Sequence, residues 1–473
     1  AENLLERFWK IADLTDRQIE FGQISSRIGS GDEAGSFTSI PANIAYIKLV
    51  PLLPSEVDEY LKDRERTDTK RLFVHNDAHG YMWMLGPRTA EEIRREVVPF
   101  AETDVARLYW EAAVGDLTFY PSSIGHMPTA DGVDDFMRTG DHMHAEAWRY
   151  VRNAGIDPLR IAAEAAHDAR IDFHASYRVA GFHFPAPIYD AWNAGGFYET
   201  NPDLRCVGRN GNPTPRLSYA YPETRELVIS LLREIASYPV DGVALLFNRR
   251  PPVLEFEPPL VEGFIEKFGE DPRRLDEHDS RWLSYRAGFL STFMRELRDG
   301  LARTDRELGR KRPTQVSAVV MSSEAENLHR AIDIRGWVME GLIDTLIPYT
   351  SAPDLNSAAD AWGDPKSIEF FVDLVHGTNC VLAPNLMPRR VAAADLRRRA
   401  SALYDAGVEH FFAWDCVFLG GRAQFDDYWD VMRRLGHHDE IEMWTRDGEP
   451  PIASATTRLT SLSDWDMSYA TPG

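Results

Sequence analysis

Between about residues 71 and 436 the chain alternates eight times between a short apolar run and a longer stretch of helical periodicity. The runs read LFVHND, VARLYWEA, IDFHASY, VALLF, TQVSAVVM, IDTLIPY, NCVLAPN and VEHFFAWD. Such short runs, apolar on both faces, are the pattern of strands buried in a parallel sheet. The stretches between them, such as ETRELVISLLREIAS and AADLRRRASALYDAG, repeat apolar residues three and four apart. Alternating strands and helices imply a parallel sheet, and eight units imply closure into a (β/α)8 barrel, the TIM barrel. The rival is a doubly wound open sheet, but neither GxGxxG nor GxxxxGKS/T follows the first run.

Outside the repeat, residues 1–70 read as a lead-in or cap. They carry a helical pattern, a Gly/Ser-rich turn region from Gly29 to Ser36, an apolar patch from Ile44 to Leu53 and a charged helix. Residues 437–473 are polar with prolines and read as an arm packed on the barrel. The expected plan is therefore a cap (1–70), a catalytic barrel (71–436) and a C-terminal arm (437–473).

Charge narrows the partners. Against 52 basic residues stand 74 acidic ones, a balance of −22, which argues against nucleic acid and anionic membranes because both are polyanions. No apolar stretch reaches the roughly 20 residues that cross a bilayer. The three cysteines, Cys206, Cys380 and Cys416, have no CxxC or metal-ligand spacing, so a reducing, cytoplasmic setting is expected. A cleaved leader stays open because the chain does not begin with Met. Homo-oligomer formation stays open too. No cofactor and no bound metal are expected.

In α/β barrels the loops at the carboxyl ends of the strands build the site. The fourth run is the clearest case. In YPVDGVALLFNRRPPVLEFEPP the apolar stretch stops at Asn248, and two arginines, two prolines, Glu255 and Glu257 follow. Proline removes a ladder donor and fixes φ, so the strand ends there. Reading all eight ends gives a polar ring. It comprises Asn76, Asp77 and His79; Tyr109, Trp110 and Glu111; His174, Ser176 and Arg178; and Asn248, Arg249 and the Glu255/Glu257 loop. The remaining four strands add Ser322, Ser323, Glu324, Glu326 and Asn327; Tyr349; Asn385; and Trp414 with Asp415. Carboxylates, amides, arginine and tryptophan suit a sugar, which offers hydroxyls for hydrogen bonds and apolar C–H faces for aromatic rings. The substrate-binding residues expected are Asn76, Asp77, His79, Trp110, His174, Arg178, Asn248, Arg249, Asn327, Tyr349 and Trp414.

The stretches FNRRPPVLEFEPPLVEGFIEKFG, DPRRL and DSRWLSYRAGFLSTFMRELR resemble the family 10-like glycosyl hydrolases, TIM-barrel proteins of polysaccharide-degrading bacteria. RLFVHNDAHG, ENLHRAIDIRGWVMEGLIDTLIPY and AGVEHFFAWD agree, so the resemblance covers about residues 71–436. It implies a glycoside hydrolase and places Asn76, Asp77, Arg249, Glu257 and Asp415 on that family's strand-end pattern. Many members carry acidic residues within strand four, in an ELDF-like pattern; here Ala244 and Leu246 stand instead. The departure shifts weight to Glu257. The seventh strand offers Asn385 where well-known retaining barrels place a glutamate.

Glycoside hydrolysis needs one protonated carboxyl to assist the leaving oxygen and one ionised to attack or to activate water. Glu257, after a proline-stiffened apolar loop, is the expected general acid because desolvation raises a carboxyl pKa. Asp415 is the expected ionised partner, and Glu324 on the next strand its rival. Pairing across the barrel, Glu257 with Asp415, favours a wide gap and inversion; pairing with Glu324 favours retention. Two other classes compete. One is a metal-dependent barrel hydrolase or isomerase using His75, Asp77, His79, His174 and Asp415. The other is a carbohydrate-binding barrel without catalysis, suggested by Ala244 and Leu246.

Overall fold

The computed structural model describes residues 3–6, 11–19, 46–133, 135–136, 139–180, 196–248, 252–349, 364–386, 393–414, 433–447 and 455–458. All eight apolar runs form strands: β1 (Leu72–Asn76), β2 (Val105–Val114), β3 (Asp172–Arg178), β4 (Gly242–Leu246), β5 (Gln315–Val320), β6 (Thr345–Pro348), β7 (Val381–Leu382) and β8 (Phe411–Ala413). They pair in parallel in chain order from β1 to β7, and β8 returns to pair with β1. A parallel bridge between Asn385 and Phe412 closes the ring. Phe412 N donates to Pro384 O at 3.0 Å and Leu386 N to Phe412 O at 2.9 Å. The fold is a (β/α)8 barrel.

Helices fill the crossovers because their apolar faces have only the sheet to cover. Before β2 comes α1 (Ala90–Val97), held by a capping box in which Thr89 accepts from Glu92 N at 3.2 Å and Glu92 accepts from Thr89 N at 3.1 Å. Before β4 runs α2 (Pro222–Ala236), and before β5 the 29-residue α3 (Ser280–Leu308), capped by Asp279 and ended by Gly309 at φ 63°. Gly309 sits in the left-handed region that an L side chain resists. Leu231, Leu232 and Ile235 of α2 and Leu290, Phe293 and Leu297 of α3 bury together against the strands.

Strand side chains alternate between two shells. Those facing helices join the large outer cluster, including Leu72, Val74, Leu108, Trp110, Phe173 and Ala175. Those facing the axis form a smaller one, with Phe73, Tyr109, Ala244, Leu246, Val319, Ile347, Phe412 and Trp414. The axis also holds polar groups that bond to one another. Arg107 donates to Thr345 Oγ1 at 2.9 Å and Gln315 Oε1 at 2.8 Å, and its guanidinium lies 4.6 Å over the Phe73 ring. Ser317 Oγ is shared by Tyr109 Oη at 3.0 Å and His174 Nδ1 at 3.1 Å. Gly242 makes room for that imidazole: a Cβ there would lie 2.5 Å from His174 Cε1.

The amino-terminal end of the barrel carries a second feature. The helix Pro54–Glu65 buries none of its residues, so it is held by charge. His437 is fully buried, with Nδ1 2.6 Å from Asp104 and Nε2 2.8 Å from Asp63. Arg434 donates to Asp63 at 3.1 Å. The chain segments at 63, 104 and 437 are thereby tied together just before β2 begins. Among the described residues no helix is long and apolar enough to cross a membrane.

Candidate active site at the barrel mouth

The alternation that sorts the core also sorts the strand ends. On β1, Phe73 faces the axis and Val74 the helices. His75 follows Phe73, and its ring stacks on Trp414 at 4.1 Å and 13°, with Nε2 3.1 Å from Ser176 Oγ. Asp77 comes next in that parity. On β2 the axial residues are Arg107, Tyr109 and Glu111; on β3 they are His174, Ser176 and Arg178.

These parities bring three charges into contact. Arg178 Nη2 donates to Glu111 Oε2 at 2.9 Å, its Nε pairs with the other oxygen of Glu111, and Nη2 also reaches Asp77. Glu111 is fully buried and Arg178 is 7% exposed. Asp77 keeps 20% of its side chain exposed, so it is the open corner of the triad. Burial works against the guanidinium's charge, but Asp77 and Glu111 outweigh it and raise the Arg178 pKa.

Aromatic rings and amides complete the mouth. Tyr349, after β6, meets Trp414 at 5.2 Å and 60°. Asn248, after β4, is 5% exposed, and neither atom of its amide has a hydrogen-bond partner among the described residues. An unpaired buried amide costs on the order of 1–3 kcal/mol, so its presence at a strand end points to a ligand that completes it. Asn385 is also buried, after β7.

Several expected residues lie elsewhere, and strand parity is the reason for two of them. Asn76 has the parity of Val74 and donates to Glu96 Oε1 at 2.8 Å, tying β1 to α1. Trp110 lies in the outer cluster, edge-on to Tyr81 at 6.1 Å. His174 faces the axis but is held on Ser317 within the barrel, and burial together with the Arg107 charge keeps its pKa well below normal. Asn327 spends its amide on the turn after β5, accepting from Met321 N at 2.9 Å and donating to Met321 O and Ser323 O. Glu324 is 41% exposed and paired with Arg335.

Glu257 is fully buried. Its carboxylate accepts from Glu255 N at 2.9 and 3.1 Å and from Val207 N at 3.4 Å. Burial raises its pKa, opposed by its own backbone N–H, that of Glu255 and the Cys206 side chain. As placed, it joins its loop to the ribbon Arg205–Val207/Pro213–Leu217 and shows no surface to a substrate. Arg249, Asp415 and the His79 side chain lie outside the described residues.

Of the ligands expected for a metal, the His79 side chain and Asp415 lie outside the described residues. Among the described residues the three-ligand group is Asp63, His437 and Glu440, at the opposite end of the barrel. Arg434 pairs with both of its carboxylates there, and Arg64 with Asp63. Those guanidiniums already supply the positive charge that a cation would bring.

Neither a family model nor a curated protein sequence matches the chain. Among solved structures it is similar to the β-galactosidase of the psychrophilic Marinomonas ef1, at 11% identity and TM-score 0.47 over 80% of this chain. That match spans 61% of the β-galactosidase's own chain, less than two thirds. It is similar also to the endo-1,4-β-mannanase of Rhizomucor miehei, at 10% identity and TM-score 0.41, covering 77% of this chain and 93% of that one. An α-amylase from Lactobacillus plantarum follows at 8% identity and TM-score 0.39, with 82% of each chain covered.

Proposed function

We propose that the protein hydrolyses a glycosidic bond at the carboxyl-terminal mouth of the barrel. One observation carries the reading: a partly exposed carboxylate, Asp77, is paired with a buried arginine at the strand ends, where the amide of Asn248 has no partner among the described residues and His75 stacks on Trp414. Trp414 and Tyr349 are buried and form the floor of the mouth, and Asn248 has one donor and one acceptor side to give a sugar's hydroxyls. Asp77, paired with Arg178, takes the attacking or water-activating role. Asp415, next in the chain after Trp414 and outside the described residues, stays the candidate that the sequence offers for the second carboxyl and proton donor, although it follows Ala413 rather than Trp414 in strand parity. These two follow β1 and β8, which are paired neighbours. The anomer of the first product decides the geometry, since retaining enzymes hold the two carboxyls roughly 5–5.5 Å apart and inverting ones about 6.5–9.5 Å.

The acid role expected of Glu257 would require the ribbon Arg205–Leu217 to lift from its carboxylate. A panel of defined oligosaccharides and aryl glycosides, with proton NMR of the first-formed anomer, tests the activity and its stereochemistry. Asp77→Asn is expected to lose turnover on the order of 10²–10⁴-fold with little change in melting temperature. Glu257→Gln is expected to melt lower and still turn over. An active Asp77→Asn enzyme would remove Asp77 from the chemistry, and an inactive, normally melting Glu257→Gln would reinstate Glu257. A carbohydrate-binding barrel without turnover is the second reading, favoured by the pinned Glu257; tight sugar binding with no product across the panel would establish it.

A further inference from the structure

Glu111 belongs to no reacting pair, yet it is the most deeply placed charge at the mouth. It lies opposite Ser176 in the β2–β3 register, with Arg178 two residues further along β3. Its two oxygens take the Nε–Nη2 edge of Arg178, and Nη2 is shared with Asp77. The Nη2–Oε2 hydrogen bond together with the Nε–Oε1 ion pair holds the guanidinium side-on to the carboxylate and so favours one orientation of its plane. With that edge engaged, Nη2 has one hydrogen left, and Asp77 receives it.

We infer that Glu111 is a positioning residue: it locks Arg178 across the mouth so that one guanidinium sets both the place and the charge of Asp77. The inference rests on the proposed role of Asp77 as the ionised carboxylate. Three charges in this arrangement couple in opposite directions. Arg178 stabilises the Asp77 anion, whereas Glu111, a like charge on the same guanidinium, competes for its positive charge. The described titratable neighbours are His75 on β1, engaged with Ser176, and Tyr349 after β6. His79, Arg249 and Asp415 are further neighbours in sequence whose side chains lie outside the described residues.

The test is a pair of variants with opposed signs. Glu111→Gln keeps size and one acceptor but removes the competing charge, so the Asp77 titration should move to lower pH by up to about one unit. Arg178→Gln removes the cation and should move it to higher pH, by about one to three units. Two readouts are taken. One is the acid limb of kcat/KM against pH on a hydrolysed glycoside. The other, needing no substrate, is the carboxyl infrared band on pH titration, assigned to Asp77 by its absence in Asp77→Asn. Melting temperatures identify variants that fail to fold; Glu111→Asp, which keeps the charge on a shorter arm, then serves as the second probe, expected to weaken the clamp and raise the midpoint. Opposed shifts in the infrared titration support the triad even where no glycoside is turned over, an outcome that would sink the proposed activity alone. Equal midpoints in wild type and variants, with only stability reduced, would leave Glu111 a buried structural charge and overturn the inference.

Discussion

Removing His437 should expose how the barrel's lead-in helix is held, and the structure fixes both the size and the pH signature of the loss. The imidazole is fully buried between Asp63 at 2.8 Å and Asp104 at 2.6 Å. Asp104 is itself fully buried, and beyond His437 it keeps Gly436 N at 2.9 Å and Arg64 at 3.7 Å. Breaking a buried charge pair by deleting one partner costs about 3–5 kcal/mol. For 473 residues the unfolding entropy at about 2.1 cal/mol/K per residue is roughly 1 kcal/mol/K, so His437→Gln should lower Tm by about 3–5 °C. The penalty should also depend on pH. Burial alone would depress the imidazole's pKa, but the hydrogen bonds and charges of Asp104 and Asp63 raise it on balance. A raised folded pKa means its contribution is complete below about pH 6.5 and is lost as pH rises through the folded value. Asp63 behaves oppositely. Burial pushes its carboxyl up, yet Arg64, His437 and Arg434 hold it far below the usual range. Its contribution is complete above about pH 3.9 and is lost only in stronger acid. The gap in Tm between wild type and His437→Gln should therefore be widest between about pH 4 and 6.5 and narrow toward pH 9. Calorimetry across pH 4–9 measures it. A gap that stays constant over that range would refute the charged clamp and leave His437 as a packing residue.

Other positions give independent tests. Gly242→Ala would set a Cβ 2.5 Å from His174 Cε1 and 2.8 Å from Gln315 O, so chemical denaturation should show a loss of about 1–3 kcal/mol; an unchanged midpoint would mean the imidazole moves freely. Asn248→Leu replaces an unpartnered buried amide with an apolar group of similar size. It should melt higher, by on the order of 1 kcal/mol, and bind sugar more weakly. A stabilised variant with undiminished affinity would remove Asn248 from the site. Glu324→Gln breaks an exposed pair with Arg335 and should change stability by no more than about 1 kcal/mol with turnover intact; lost turnover would restore Glu324 as a catalytic residue.

The amino-acid order by itself determined the eight strands and their parallel pairing. Those features follow from local signals: run length, helical periodicity, and the prolines and glycines that stop elements. Even the inward or outward face was written in the period of two. Listing strand ends without that parity put Asn76 and Trp110 in the mouth, although each stands one residue away from an axial neighbour, His75 and Glu111. What only the tertiary structure decided is which distant charges meet. Arg178 reaches Asp77 across 101 residues and Glu111 across 67, and His437 bridges Asp63 and Asp104 across 374 and 333. The burial of Glu257 is of the same kind, since Val207, one of the groups that bonds its carboxylate, lies 50 residues earlier. Periodicity is a property of a short window, whereas a charge pair is set by closure of the ring. Closing the barrel brings β1, β2 and β3 to one rim, and that closure assembled the Glu111–Arg178–Asp77 triad.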